Sequence, residues 1–119
     1  MSRLKGDGLP RRGDVWLTTP DPVVGREQSG RRPVLVVSAD PVNRAPSQLV
    51  LAVPITTRRR GITSHIPIAA GEGGLDHASL AMGEQLRSLS QERLERRLGR
   101  VAPRTLAAVE AVLRRLLSL

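Results

Sequence analysis

The sequence predicts a mainly β domain with one α-helix: a small β-barrel against which a C-terminal helix packs. Its 119 residues are enough for one domain with a core of its own. Short apolar runs separated by turns rich in proline and glycine are typical of strands, and they fill most of the chain. Residues 103–117 instead repeat their apolar positions at helical spacing.

The first half of the chain contains three predicted strands. Gly13–Thr19 alternates well enough to be the first, and the stretch Pro20–Arg32 after it is predicted to be a long loop. Val34–Ser38 is almost continuously apolar, which predicts a strand buried on both faces. Leu49–Thr56 is a further buried strand. Pro54 marks an edge or a bulge within it, because proline cannot donate a hydrogen bond to the ladder.

The second half alternates short strands with turns and ends in the helix. Pro103 suits the first helical position, and the apolar stripe that follows contains Leu106, Val109, Leu113 and Leu116. The other predicted elements are a turn at 42–47, strands at 64–69, 78–84, 85–89 and 98–102, a turn at 70–75 and a helical turn at 91–93.

Composition limits the chemistry available to the chain. The absence of cysteine excludes disulfides, thiolate metal sites and cysteine nucleophiles, and it favours a cytoplasmic location. No segment is apolar enough for a membrane span or a signal peptide, so no membrane association is expected. Residues 1–12 are predicted to be a flexible basic N-terminal arm and residues 13–119 a single domain.

The net charge of +8 predicts a polyanionic partner, with nucleic acid as the first choice. Most of the excess positive charge lies in residues 1–60. A coding sequence rich in G and C would explain the preference for arginine over lysine, but not the net excess. Because Phe and Tyr are absent, arginine contacts to phosphates and base edges are expected instead of base stacking.

The usual catalytic motifs are missing from the sequence. The two histidines, His65 and His77, lack cysteine and suitably spaced acidic partners, so a metal site is not expected. No nucleophile elbow of the G-x-S-x-G type occurs, and no glycine-rich loop of the phosphate-cradling type. We therefore expect neither a metal nor a cofactor.

Arg32 and Thr56 remain as candidate catalytic residues. Arg32 precedes Pro33, which favours an extended backbone, so the arginine enters its strand with a fixed direction. Thr56 closes the comparable strand just before the basic loop TRRRG. If the two strands are antiparallel neighbours, the residues converge, and a guanidinium beside a hydroxyl suits the transition state of phosphodiester cleavage. Alternatively, Arg32 is a surface cation and Thr56 an ordinary β-branched strand end.

An ordered set of segments resembles one bacterial family. The chain is similar to the MazF/PemK (Kid) toxins of type II toxin–antitoxin systems, which are sequence-selective endoribonucleases also called mRNA interferases. The similarity spans about residues 11–117. The matching segments are RRGDVWL (11–17), DPVVGREQSGRRPVLVVSAD (21–40), VPITT (53–57), HIPI (65–68), EQLRSL (84–89) and RLGRV (97–101).

The resemblance implies a fold, a reaction and a set of partners. The fold would be an SH3-like barrel of the CcdB/MazF type with a C-terminal helix, in a homodimer neutralised by a cognate MazE-like antitoxin. The reaction would be metal-independent cleavage of single-stranded RNA, such as mRNA, giving 2′,3′-cyclic phosphate and 5′-hydroxyl ends. Arg32 and Thr56 match the catalytic pair of the family. The predicted substrate-binding residues are Gly25, Arg26, Glu27, Gln28, Arg31, Thr57, Arg58, Gln85 and Arg87.

Two departures and two alternatives remain open. Arg26 replaces a small polar residue common in the family, and Arg58–Arg60 form an unusually basic patch, so the sequence preference of the family does not carry over. One alternative is a non-catalytic toxin of the same fold that binds a protein, like the gyrase inhibitors. Those use a C-terminal tail containing tryptophan, whereas this chain ends RRLLSL and its tryptophan is Trp16. The other alternative is a catalytically silent module that binds RNA or antitoxin.

Overall fold

The computed structural model describes residues 8–19 and 31–119. These residues form seven strands and two α-helices, joined by three short 3₁₀ turns. The elements are β1 Asp14–Thr18, β2 Arg32–Val36, α1 Asp40–Asn43, β3 Leu49–Thr56, β4 His65–Ile68, β5 Ser79–Met82, β6 Arg87–Ser90, β7 Leu94–Arg100 and α2 Pro103–Leu117.

The strands form one antiparallel sheet with β3 near its centre. Its order is β4-β5-β3-β2-β1-β7, and β6 pairs with the first half of β3. The predicted mainly β fold with a terminal helix is confirmed. Among the described residues, β4 and β7 do not pair, so hydrogen bonding does not close the sheet into a barrel.

Pro54 lies at a gap in the pairing of β3. Leu49 to Ala52 pair with β6, and Ile55 and Thr56 pair with β5. Pro54 falls between these two partners, while its other side faces Val34 of β2. The missing N–H of proline is tolerated where the ladder changes partner, in agreement with the predicted edge or bulge.

Two apolar clusters lie on opposite faces of the central strands. Alternate residues of a strand point to opposite faces, so Val15 belongs to one cluster and Trp16 to the other. Likewise, Leu35 belongs to the first cluster, while Val34 and Val36 belong to the second. Burial on both faces explains why β2 has a continuous apolar run instead of an alternating pattern.

Helix α2 covers the first cluster. Val109 and Val112 are buried in it, and Leu106 and Leu113 pack against it from the side. Leu116, which the apolar stripe includes, is 47% exposed, because the last turn of the helix extends beyond the cluster. No helix within the described residues is long and apolar enough to cross a membrane.

Several boundaries differ from the sequence prediction: strand β2, for example, is Arg32–Val36 instead of Val34–Ser38. Strand β7 begins at Leu94, four residues before the predicted start at Leu98, because it pairs along β1 through two irregularities in register. The predicted flexible arm overlaps the packed chain: Pro10 is fully buried, and the Arg12 N–H donates to Asp40 Oδ1 at 2.9 Å. Residues 1–7 of that arm lie outside the described residues.

Glycine allows the turn before β5 to lie directly against β7. Gly74 has φ +75°, and a Cβ there would lie 2.1 Å from the Leu98 carbonyl oxygen. A Cβ on Gly99 would lie 2.7 Å from the carbonyl carbon of Gly73. Side chains at these positions would force the two segments apart. This close approach brings residues 75–79 to the open ends of β2 and β3.

Candidate active site

Arg32 and Thr56 lie at the adjoining ends of two paired strands. Val34 of β2 pairs with Pro54 of β3, so two residues further along the same register Arg32 is opposite Thr56. Both residues line one cavity of about 750 Å³. The convergence expected from antiparallel strands is therefore observed, and the pair occupies a space that can hold a ligand.

The backbone of Arg32 is fixed from three directions. It pairs with Thr18 of β1, whose hydroxyl donates to the Arg32 carbonyl oxygen at 2.8 Å. Pro33 restricts the backbone that precedes it. The Arg32 side chain is exposed. Its guanidinium has no hydrogen-bond or ion-pair partner within residues 8–19 and 31–119, so its donors remain available to a ligand.

The hydroxyl of Thr56 is oriented by the loop that follows it. Thr56 Oγ1 accepts a hydrogen bond from the backbone N–H of Arg58 at 3.1 Å. Because the oxygen acts as acceptor in that bond, its hydrogen remains free to be donated. The residue is half-buried, with its side chain at the cavity wall. A donating hydroxyl and a guanidinium therefore flank the same space.

The remaining lining of this cavity is strongly basic. Leu17, Pro33, Ile55, Gly74, Leu75 and Leu98 form its apolar part. The polar residues, other than Arg32 and Thr56, are Arg31, Thr57, Asp76, His77, Ser79, Arg96 and Arg97. Several guanidinium groups in one concave space attract an anionic ligand.

The profile of a known protein family matches almost the whole chain. It describes the PemK-like, MazF-like toxins of type II toxin–antitoxin systems and matches residues 11–117. The chain belongs to this toxin family. Endoribonuclease EndoA of Bacillus subtilis is 37% identical over 87 residues, which are 72% of this chain and 75% of that protein. Endoribonuclease MazF9 of Mycobacterium tuberculosis is 34% identical over 111 residues, 89% of this chain and 94% of that protein.

Solved structures of MazF have the same fold. The crystal structure of MazF (Form-I) from Deinococcus radiodurans has a TM-score of 0.76 at 32% identity and covers 95% of this chain and 100% of its own. A MazE–MazF crystal structure (Form-II) from the same organism has a TM-score of 0.79 at 32% identity. It covers 95% of this chain and 99% of its own. The resemblance inferred from the ordered motifs is confirmed.

In this MazF-like toxin the two adjacent arginines have different surroundings. Arg31 Nε forms an ion pair with Glu95 of β7, and the Arg31 side chain is 56% exposed. The hydrogen bond that Arg31 donates to Glu95 and the charge of that carboxylate raise the pKa of Arg31 above its usual value. Arg31 is thus partly neutralised at the rim of the cavity, whereas Arg32 is not paired with a described residue.

The other predicted substrate-binding residues do not all meet at this cavity. Thr57 lines it, and Arg58 lies in the exposed loop just beyond. Gln85 lies in the 3₁₀ turn Gly83–Gln85, and Arg87 begins β6, where it pairs with Ala52. Ala52 is four residues from Thr56, which corresponds to about 13 Å of strand. Gly25, Arg26, Glu27 and Gln28 lie outside the described residues.

Two hydrogen bonds anchor the turn that carries Gln85. Glu84 accepts one from Ser64 Oγ at 2.6 Å and contacts His65 Nε2 at 2.9 Å. Burial alone would raise the pKa of Glu84, but the hydrogen bonds from Ser64 and His65 outweigh it and lower the pKa to about 2. Glu84 is therefore ionised at neutral pH and links the turn to the start of β4.

Five polar residues of the lining are missing from the sequence prediction. Asp76, His77 and Ser79 come from the segment that the glycine contact with β7 brings to the cavity. Arg96 and Arg97 come from the part of β7 that precedes its predicted start. The sequence signal for this contact is the set of glycines at 73, 74 and 99. These glycines lie in segments far apart in sequence, so a local pattern does not connect them.

Arg97 connects the cavity to the interior. Its Nε lies 3.2 Å from Oδ1 of Asp14, a fully buried carboxylate that also accepts a hydrogen bond from Arg100 at 3.0 Å. Two guanidinium groups thus balance the buried charge. Within the described residues, no group of three His, Cys, Asp or Glu side chains is placed to hold a metal ion.

Proposed function

We propose that the chain is an endoribonuclease toxin that cleaves single-stranded RNA, such as mRNA, in the cavity lined by Arg32 and Thr56. The placement of these two residues at adjoining ends of β2 and β3 is the observation that carries the proposal. Membership of the PemK/MazF toxin family and relatives named as endoribonucleases support it. The basic lining fits a polyanionic substrate.

The reaction we propose uses the nucleophile of the RNA itself. The ribose 2′-oxygen attacks the adjacent phosphorus and gives its proton to a base, the bond from phosphorus to the 5′-oxygen breaks, and the departing oxygen takes up a proton from that protonated base or from water. The products are a 2′,3′-cyclic phosphate and a 5′-hydroxyl. This route requires no protein nucleophile, so the step needs an oriented phosphate, compensation of negative charge and proton transfer.

Arg32 and Thr56 would divide the work at the phosphate. A guanidinium stays protonated at any ordinary pH. Arg32 would therefore donate hydrogen bonds to the phosphate and stabilise the negative charge of the pentacoordinate phosphorus. Thr56 would donate its hydroxyl hydrogen to a non-bridging oxygen and fix the phosphate in place. Asp76 and His77 line the same cavity and carry groups able to accept the 2′-OH proton, which Arg32 cannot accept.

The remaining predicted contacts would extend the RNA site beyond the cavity. Arg31, Thr57 and Arg58 flank the catalytic pair, and Gln85 with Arg87 would contact the strand further away. The segment Gly25–Gln28 belongs to this proposed substrate-binding set on the strength of the sequence resemblance. A cytoplasmic location would give the site access to mRNA, and the absence of cysteine fits that compartment.

We also propose a cognate antitoxin and a homodimer. Among the solved relatives are complexes of MazE with MazF. An antitoxin of that type would lay an acidic or apolar extended segment along the basic loops around Arg32. For the dimer, an apolar groove of about 420 Å³ between β3 and the end of α2 offers a contact face. Its exposed apolar members are Leu51, Leu117 and Leu119.

Mapping of cleavage sites tests the proposed function. A long RNA is incubated with the protein in EDTA and in Mg²⁺, and primer extension then locates the cuts. We expect discrete cuts in both conditions, with cyclic phosphate and 5′-hydroxyl ends. An absolute need for Mg²⁺ would contradict the metal-independent route, and the absence of cuts in both would favour a toxin that binds a protein.

A further inference from the structure

A second polar cavity adjoins the one that holds Arg32. It has a volume of about 430 Å³ and lies between the loop after β3, the strands β4 and β5, and the start of α2. Thr57 and Ser79 line both cavities, so the two spaces share a wall. The other polar residues of the second cavity are Arg59, Glu72, Arg104 and Thr105.

The two arginines of this second cavity come from separate elements. Arg59 belongs to the loop after β3, and Arg104 to the first turn of α2. Both are exposed, and neither guanidinium has a hydrogen-bond or ion-pair partner in the part of the chain that the structure describes. Their donors therefore face the cavity and solvent without an internal acceptor.

The carboxylate of Glu72 compensates the charge of Arg104 only in part. Its Oε2 accepts the N–H of Ala102 at 2.9 Å, and its Oε1 accepts the N–H of Ala69 at 3.3 Å. Burial raises the pKa of Glu72, but hydrogen bonds from Thr105 and these backbone groups, together with the charge of Arg104, outweigh it and leave the pKa below the usual value. Glu72 therefore serves as the cap at the start of α2, with both oxygens engaged.

The position of Arg104 opposes the stability of its own helix. The N-terminus of a helix carries a partial positive charge, which favours acidic side chains there and disfavours basic ones. The first turn of α2 contains no acidic residue and does contain Arg104. The carboxylate of Glu72 offsets part of this effect, and an anion in the cavity would add a second negative charge beside Arg104.

From these contacts we propose that the second cavity binds a phosphate of the RNA strand adjacent to the scissile phosphodiester. The inference rests on the proposed endoribonuclease function, since it takes RNA as the ligand. RNA carries one phosphate per nucleotide, so a strand held at Arg32 must place its next phosphate close by. Arg59 and Arg104 supply planar donors for it, and Thr57 lies on the shared wall, whereas the Ser79 hydroxyl already donates to the His77 carbonyl oxygen.

Binding measurements on matched variants test this subsite. The probe is an RNA of about ten nucleotides that spans a mapped cut and carries a 2′-deoxy sugar there, so that it binds without being cleaved; oligouridine replaces it if no cut is found. We expect Arg104→Gln to weaken binding about five- to tenfold and to reduce the salt slope of log K by about 0.7. Arg59→Gln should act in the same direction.

Arg115→Gln is the control, because it removes the same charge from the same helix. Arg115 lies eleven residues along α2 from Arg104, about 16 Å at the helical rise per residue. We expect Arg115→Gln to change affinity less than twofold. Thermal unfolding should show that both variants stay folded, with Arg104→Gln at least as stable as Arg115→Gln, since its cation lies at the positive end of the helix. Equal losses from Arg104→Gln and Arg115→Gln would overturn the proposal, because they indicate general attraction only.

Shortened probes add a second measurement. Removing nucleotides from the 5′ or the 3′ end should weaken wild-type binding at the step that deletes the bound phosphate. The same deletion should leave the RNA affinity of the Arg104→Gln variant unchanged. If Arg104→Gln binds RNA normally but binds poly-glutamate less well, the cavity takes an acidic peptide and the proposal fails. If the protein cuts no RNA but Arg104→Gln still weakens RNA binding, the nuclease function is refuted and the phosphate subsite is supported.

Discussion

The two ends of β3 have opposite chemistry. At Thr56 the strand ends among arginines and hydroxyls at an open cavity. At its other end, Leu49 and Leu51 are each 40% exposed, and Leu51 lies in an apolar groove with the end of α2. The two faces of the middle of the strand are buried in the two clusters. One rigid strand thus separates a surface suited to an anion from a surface suited to another protein.

Replacing Arg32 by Ala should produce the largest functional effect. We expect RNA cleavage to fall about 10³-fold, because the guanidinium would compensate charge that develops in the transition state. Initial rates on a fluorogenic RNA measure the loss. Arg31→Ala is the matched control, since it removes an adjacent charge already paired with Glu95, and its rate should stay within a few-fold. Similar losses in both variants would remove the distinction between the two arginines.

Replacing Thr56 by Val should have the next largest effect. Valine keeps the β-branched shape that the strand end requires and deletes the hydroxyl. The loss of one hydrogen bond to a charged phosphate predicts a rate about 10 to 100 times lower. Single-turnover kinetics measures the cleavage step itself. Circular dichroism should show an unchanged fold, and a rate equal to the wild type would mean that Thr56 does not touch the substrate.

Replacing Leu51 by Glu should affect the apolar end of β3 alone. A buried leucine side chain contributes about 1.5–3 kcal/mol, and a charge in its place is costly to bury, so the proposed dimer should dissociate. Sedimentation velocity measures the oligomeric state. Leu9→Glu is the control, because Leu9 is similarly exposed but does not line the groove. A dimer that survives Leu51→Glu would place the contact between subunits elsewhere.

Glu84 should contribute a smaller, pH-dependent effect on stability. Its pKa of about 2 lies below the usual carboxyl value, so its ionised form favours the folded state. That contribution is complete above about pH 5 and disappears as the pH falls towards 2. The side chain is 34% exposed, so solvent screening reduces the contribution to about 1 kcal/mol. Urea unfolding should show Glu84→Gln less stable than the wild type at pH 7, with a smaller difference at pH 3.

The elements with a clear local signal could be predicted from sequence. The bounds of β3 and α2 agree with the prediction at both ends, because Pro103 starts the helix and the basic loop ends the strand. Strand β7 could not be predicted in full. Its first half contains Glu95, Arg96 and Arg97, which show no alternation of apolar residues, and pairing with β1 determines its start.

The site shows the same division between local and long-range information. Arg32 and Thr56 could be predicted because each stands at the end of an apolar run beside a proline or a basic loop. Asp76, His77 and Ser79 reach the cavity through the contact of Gly73–Gly74 with β7. That contact joins segments about 25 residues apart and leaves no periodic pattern in the sequence. Tertiary contacts therefore decide the part of the cavity that sequence reasoning misses.

The buried indole of Trp16 has a consequence for optical experiments. Trp16 is the one tryptophan of the chain, which has no tyrosine, and it is completely buried. Its Nε1 donates to the carboxylate of Asp14 at 3.3 Å. The ultraviolet fluorescence of the protein therefore comes from a single ring that solvent and RNA do not reach in the folded state. Emission should shift on unfolding and stay constant on RNA binding, so it reports the folded state without interference from bound RNA.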